Sequence, residues 1–308
     1  MKKNYIESDV LIIGAGFIGQ IMALMLASSK IKVTLVDKNK FRRYDTRTTA
    51  ISQGSARILD SIDVWSSLKE YSEGINKILV SDQQDTDYLT FDSSKLNEGM
   101  LGYIIENKIF RRIITQKIIQ NSYIRTFEEH EILKIINSGK KKHNKIFAES
   151  KYIKFLAELI IAADGRNSAT RRLVNLKYYE HKYKQNAYVF NITHKNKHNG
   201  IALERFFPNG PLAILPMRKN TRSDPNRSSV VWTVDNNLGD FTKIDQGEFL
   251  REFSYRYNEF FGRLLHLSKP SVYPLNLIYA YEIISEKIVL VGDAAQGIHP
   301  IAGQGFNL

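Results

Sequence analysis

The sequence predicts an α/β fold in which a Rossmann-like dinucleotide-binding domain is interrupted by a β-sheet-rich second domain. Three observations predict it. An apolar run, a glycine-rich turn, a helical stretch and a second apolar run closing on Asp37 follow one another near the start. Short continuous apolar runs return far downstream, at residues 159–163 and 288–291. Between them, residues 188–234 alternate apolar and polar side chains with many aromatics, as half-buried strands do.

The elements follow in order. Val10–Ile13 reads as a buried strand, and residues 17–29 as a helix with small residues on one face. Val33–Val36 is the parallel partner strand. Residues 53–68 have helical spacing, and the more polar interval 72–99 is an excursion. A short strand at 103–106 runs into a helix at 108–120. Two or three weak strands come next, parted by Ser138-Gly139 and the basic turn Lys140 to Lys142. The strand at 159–163 ends in Asp164-Gly165. The alternating block is broken by Pro208-Asn209-Gly210-Pro211, residues 248–261 form an amphipathic helix, and 288–291 is the last buried strand. The expected division is 1–71, 102–178 and 275–308 for the cofactor domain, with 72–101 and 179–274 as the substrate domain.

Composition narrows the chemistry. The 308 residues suffice for about two domains, and 43 % hydrophobic with 25 % charged residues excludes disorder as the main state. With no cysteine, disulfides, thiolate metal sites and a Cys nucleophile are excluded. The net charge of +12 favours acidic partners, but the lysines are scattered and form no stripe. Neither a metal finger nor a basic aromatic platform accompanies them, so nucleic acid is not an expected partner. Residues 10–29 resemble a signal or spanning segment only until Glu7, Asp9, Gly14, Gly16, Gly19 and Gln20 are considered; they mark a strand–turn–helix instead.

Gly14-Ala15-Gly16-Phe17-Ile18-Gly19 carries a specific physical logic. Gly14 permits a tight turn, Gly16 lets a pyrophosphate approach the backbone, and Gly19 lets helix and strand pack closely. The helix N-terminus faces the phosphate charge, and Asp37 is placed to accept from ribose hydroxyls. Two later segments share the strand-end geometry: Ala163-Asp164-Gly165-Arg166-Asn167-Ser168, and Val291-Gly292-Asp293-Ala294-Ala295 followed by His299-Pro300 and Gly303-Gln304-Gly305-Phe306-Asn307. Taken alone, Asp164 or Asp293 could equally be a helix N-cap.

In this order and spacing the three motifs resemble the flavoprotein aromatic hydroxylases with the p-hydroxybenzoate hydroxylase fold. Asp45-Thr46-Arg47-Thr48-Thr49-Ala50-Ile51-Ser52, the segment from Leu101 to Asn107, Phe207 to Pro216, and Val231-Trp232-Thr233 are similar to segments of the FAD-dependent ubiquinone-biosynthesis hydroxylases. Gln296 resembles the 2-polyprenyl-6-methoxyphenol hydroxylase branch. The resemblance implies FAD as cofactor and NAD(P)H as electron donor, and hydroxylation of a polyprenylated phenol by O2 through a C4a-hydroperoxyflavin. It implies FAD contacts at Gly14, Gly16, Gly19, Asp37, Arg47, Asn107, Asp164, Gly165, Asp293, Gly303, Gln304, Gly305 and Asn307, with no metal. The protein orients the ring and excludes water, and no acid–base or nucleophile constellation stands out. His299 is read as structural, and Arg111, Arg112, Arg171 and Arg172 as solvated helix charges.

Family members continue past the Gly-Gln-Gly-Phe-Asn segment into further helices. The expectation is therefore a C-terminally truncated chain: incomplete, one part of a split product, or a decayed remnant, and a poor hydroxylase by itself. Expected partners are the phenol, an anionic membrane surface at the cytoplasmic face, and other ubiquinone-biosynthesis proteins or a separate C-terminal chain. Two other classes stay open: an inactive FAD-binding scaffold, and another FAD enzyme such as a halogenase or prenyl reductase. Trp65 and Trp232, the only tryptophans, do not form the halogenase Trp-x-Trp spacing.

Overall fold

The structure, a computed structural model, describes residues 5–42, 45–95, 99–137, 145–219, 221, 223–238, 241, 244–299 and 301–308. The predicted turn at Ser138-Gly139 and Lys140 to Lys142, and Pro300, lie outside them. A six-stranded sheet runs in the order Ile284–Ser285, Ile288–Leu290, Leu159–Ala162, Val10–Ile13, Val33–Val36, Ile124–Phe127. All its pairings are parallel except that of Ile284–Ser285 with Ile288–Leu290. The apolar runs are continuous because both faces are covered. Val10, Ile12, Val33 and Leu35 pack under the helices Phe17–Ser28 and Asn107–Gln120. Leu11, Ile13, Val36 and Ile160 meet Ile146, Ala148 and Phe155 of a four-stranded sheet. Each such aliphatic side chain contributes about 1.5–3 kcal/mol by leaving water.

The alternating block forms a nine-stranded sheet. Its order is Gln296–Gly297, Ser271–Ala280, Tyr178–His194, Asn226–Asp235, Gly210–Met217, Ile201–Phe207, Lys77–Asp82, Leu89–Asp92, with Leu264–Leu267 also pairing Tyr178–His194. The period of two divides its faces. Tyr188, Phe190, Leu212, Ile214, Val230 and Trp232 pack against Phe249, Phe253 and Tyr257 of the helix Gln246–Tyr257. That helix begins where the Asp245 carboxylate accepts from the Gly247 and Glu248 amides at 2.7 and 3.0 Å. It ends at Asn258, which is left-handed at φ 47°. The intervening residues Ala187, Val189, Ala213, Leu215 and Val231 face a cavity on the other side.

Several elements differ from the expectation. The 53–68 helix is two helices, Gln53–Asp60 and Trp65–Lys69, because Asp63 turns left-handed at φ 55°. Four strands, not two or three, follow the helix Asn107–Gln120: Ile124–Phe127, Lys134–Asn137, Ile146–Glu149 and Lys154–Ala157. The polar excursion contains strands Glu73–Ile75, Lys77–Asp82 and Leu89–Asp92. Ser271–Ala280 was not expected as a strand, since Pro274 lies inside it. The proline is tolerated because it pairs Asn186 beside a register shift between Lys182 and Asn186. The expected boundary between residues 274 and 275 falls within this strand.

Candidate functional site

Where the parallel strands end, the chain turns sharply. Gly14 sits at φ +105°, and a β-carbon there would lie 2.4 Å from the Ala163 carbonyl oxygen, so no other residue fits. A β-carbon on Gly19 would lie 1.9 Å from the Gly14 oxygen, which is the close helix–strand packing that the motif predicts. Gly14, Gly16, Asp37, Asp164 and Gly165 converge on one cavity of about 220 Å³. The Asp37 carboxylate accepts the Ala15 amide at 2.7 Å and the Asn39 amide at 2.8 Å, bracing the glycine turn from the next strand.

The residues fit a dinucleotide. Chain neighbours aside, no atom of the described residues lies within 4 Å of the β-carbon positions of Gly16 or Gly165, so the backbone is open to a close-lying group at both. Among the described residues no side chain caps the helix that begins after Gly16, which leaves its first amides free for a ligand. Asp164 Oδ2 accepts the Thr170 amide at 2.9 Å, while its buried Oδ1 has no partner among the described residues. Asp164 thus holds one first-turn amide, but the N-cap of the helix Ala169–Leu173 is Ser168, whose hydroxyl accepts the Arg171 amide at 2.9 Å, and the second Asp164 oxygen is available to a ligand.

Arg166, one residue beyond Gly165, lines a second and larger cavity of about 510 Å³ together with Arg47, Asp293 and Gly303. The nine-stranded sheet supplies its apolar wall. Arg47 holds Asp45 through two bonds, Nε to Oδ1 at 2.9 Å and Nη2 to Oδ2 at 2.8 Å, and lies over the Tyr273 ring. Burial would raise the Asp45 pKa, but hydrogen bonds from Arg47 and Asn107 prevail and lower it to about 2. Burial pushes Asp293 up, with Arg166 Nε at 3.5 Å opposing the shift. Arg166 also donates to the carbonyls of Asn276 and Ile298 at 2.9 and 2.7 Å.

The remaining predicted residues stand behind these walls or beside them. Asn107 donates to Asp45 at 3.0 Å and accepts from Thr49 at 2.6 Å. Asn307 accepts from the Ser52 amide and the Ser55 hydroxyl, both at 2.9 Å, and donates to the Ala50 and Gly303 carbonyls. It therefore pins the 3-10 turn Ile301–Phe306 to strand Thr48–Ser52. Gln304 and Gly305 are on the exposed side of that turn. His299 rests edge-on against Tyr183 and bonds Gln185 at 3.3 Å, and burial lowers its pKa.

Two of the four arginines read as solvated are not. Arg171 is 1 % exposed, donates to the Ala294 and Arg166 carbonyls at 2.7 and 2.9 Å, and stacks on Tyr178. Arg111 is buried against Phe17 and lines the smaller cavity. Arg112 and Arg172 are exposed, as expected. Sequence reasoning also passed over Glu204, whose side chain opens on the larger cavity and whose pKa burial raises to about 7. In the strand Ile201–Phe207 it is followed directly by Arg205, so no local pattern singled it out.

A family profile described as FAD binding domain matches residues 7–308. The chain belongs to the FAD-binding domain family. Within this family it is 30 % identical over 306 residues to the ubiquinone hydroxylase UbiL of Rhodospirillum rubrum, covering 97 % of this chain and 69 % of that protein. It is 25 % identical to the 3-demethoxyubiquinol 3-hydroxylase of Escherichia coli, covering 98 % and 76 % respectively. This FAD-binding domain chain is thereby a member of the ubiquinone hydroxylase family, whose members are FAD-dependent aromatic monooxygenases. Among solved structures, PqsL of Pseudomonas aeruginosa, a probable FAD-dependent monooxygenase, superposes with a TM-score of 0.81 at 18 % identity, covering 98 % and 82 %. That likeness shows the fold.

Proposed function

We propose that this monooxygenase hydroxylates the ring of a polyprenylated phenol in ubiquinone biosynthesis, with NAD(P)H as electron donor. The observation that carries the reading is the larger cavity, lined mostly by apolar side chains of the sheet together with Arg47, Arg166, Asp293 and Glu204. A prenylated phenol has the same polarity, and the relatives' names point to the same substrate class. Bound FAD would supply the activation of dioxygen and the relay of electrons. In this reading the open helix N-terminus after Gly16 receives the pyrophosphate and Asp37 the ribose, with Asp164 beside them. Arg47, Asp293 and the turn Gly303 to Asn307 face the flavin, and Ala187, Val189 and Val231 hold the ring and keep water from it.

Among the described residues no helix is long and apolar enough to cross a membrane. Delivery of a polyprenyl substrate then calls for docking of a basic protein on an anionic bilayer surface, at about 1 kcal/mol per nearby Lys or Arg. The test is direct. The purified protein is loaded with FAD and given NAD(P)H, oxygen and a short-chain prenylated phenol. A product one oxygen heavier, formed with stoichiometric NAD(P)H oxidation, supports the reading. A protein that takes up no FAD, or oxidises NAD(P)H without oxygenating the phenol, refutes it.

A further inference from the structure

We propose that Glu204 is the base that takes the ring-hydroxyl proton of the phenol bound in the larger cavity. The proposal rests on the functional reading above and adds a residue to it. Glu204 lies on strand Ile201–Phe207, with Val80 and Ala213 as its two cross-strand neighbours, both apolar. Among the described residues none gives its carboxylate a hydrogen bond or an ion pair, and burial alone displaces its pKa.

The charged groups around it are committed elsewhere. On its own strand Arg205 points to the opposite face and donates to the Arg256 carbonyl. On the neighbouring strand Lys77 pairs with Asp92 at 2.9 Å, and Asp82 is exposed at the strand end. Strand Gly210–Met217 has no ionisable side chain. Elsewhere on the cavity lining Arg47 holds Asp45, Tyr273 lies under Arg47, and Arg166 pairs with Asp293. An unpaired carboxylate on an apolar wall destabilises the fold, and such groups concentrate where chemistry uses them. Asp293, the other carboxylate on the cavity, already has a cation.

The step is a single proton transfer. The O–H bond of the phenol breaks, its electron pair stays on the ring oxygen, and the proton forms a new O–H bond on Glu204. The ring becomes more electron-rich and accepts the electrophilic oxygen faster. After oxygen transfer the neutral Glu204 returns the proton to the product. A carboxylate that titrates at about 7 is matched to this role at neutral pH.

The experiment compares FAD-loaded wild type with Glu204→Gln, using ortho-prenylphenol. This probe stays neutral from about pH 5.5 to 8.5, as a phenol near pKa 10 does, so any pH dependence in that window belongs to the protein. Binding is read from the flavin absorbance change and turnover from product. In wild type, affinity and kcat/KM both rise through about pH 7 as Glu204 ionises. In Glu204→Gln both profiles are flat and kcat falls by about 100-fold or more. Wild-type profiles without a limb near neutrality overturn the assignment without any variant, as does a Gln variant that keeps wild-type turnover and the limb. Wild type that binds FAD but never oxygenates the phenol removes the functional reading itself, and the base with it.

Discussion

Arg171 offers the sharpest test of how the strand-end segments are held together. Its guanidinium joins the loop after strand Leu159–Ala162 to the 3-10 turn Gly292–Ala294 by donating to the Arg166 and Ala294 carbonyls. Arg171→Met keeps much of the volume and removes both bonds. Hydrogen bonds from a charged donor are each worth about 1.5–3 kcal/mol, so the gross loss is about 3–6 kcal/mol. Nε is buried without a partner among the described residues, and relieving it returns about 1–2 kcal/mol. The stacking on Tyr178 at 4.2 Å is lost as well, worth about 1 kcal/mol. The expected net destabilisation is about 4 kcal/mol, or a fall in Tm of about 6 °C. Arg171→Lys retains the charge but not the fork and should lose about half as much. Equilibrium urea denaturation followed by circular dichroism measures both. A methionine variant within about 1 kcal/mol of wild type, at unchanged m-value, would mean that the two carbonyls are satisfied by water, and the reasoning is then wrong.

Two further outcomes follow from the carboxylates. Asp37→Ala removes the bonds that hold the Ala15 and Asn39 amides and should weaken FAD binding by about 10–100-fold, read by fluorescence titration; reduced stability with unchanged FAD affinity would make Asp37 only a brace for the turn. Asp45 has a pKa depressed to about 2, so its stabilisation is complete above the unfolded value near 4 and disappears as pH falls through about 2. Asp45→Asn should flatten the stability profile across that window in acid-unfolding curves, and a profile as steep as wild type would contradict the pairing.

The parts of the fold legible in the sequence are those where local pattern and tertiary burial agree. Val10–Ile13 and Leu159–Ala162 are apolar at every position and Val33–Val36 at all but Thr34, as strands covered on both faces require. The glycine turn was legible because steric demands at Gly14 and Gly19 admit one residue type. Ser271–Ala280 was hidden by Pro274, whose tolerance depends on a bulge in the partner strand. Arg111 and Arg171 looked solvated because their acceptors and aromatic neighbours are distant or irregular in sequence: Phe41, Ala294 and Tyr178. Glu204 was missed for a similar reason. Its significance comes from the lack of a partner among the described residues around it, and no local pattern encodes that.

The joint between Asn307 and Ser52 has a kinetic consequence. Those residues are 255 positions apart, and Thr48 meets Ser229 across 181. Such contacts repay their loop-closure entropy only after most of the chain is in place, so the larger cavity is completed among the slowest steps of folding. A ligand that needs the closed cavity would therefore register the fully assembled chain and ignore partly folded forms. During refolding, recovery of that binding should lag behind recovery of the parallel sheet.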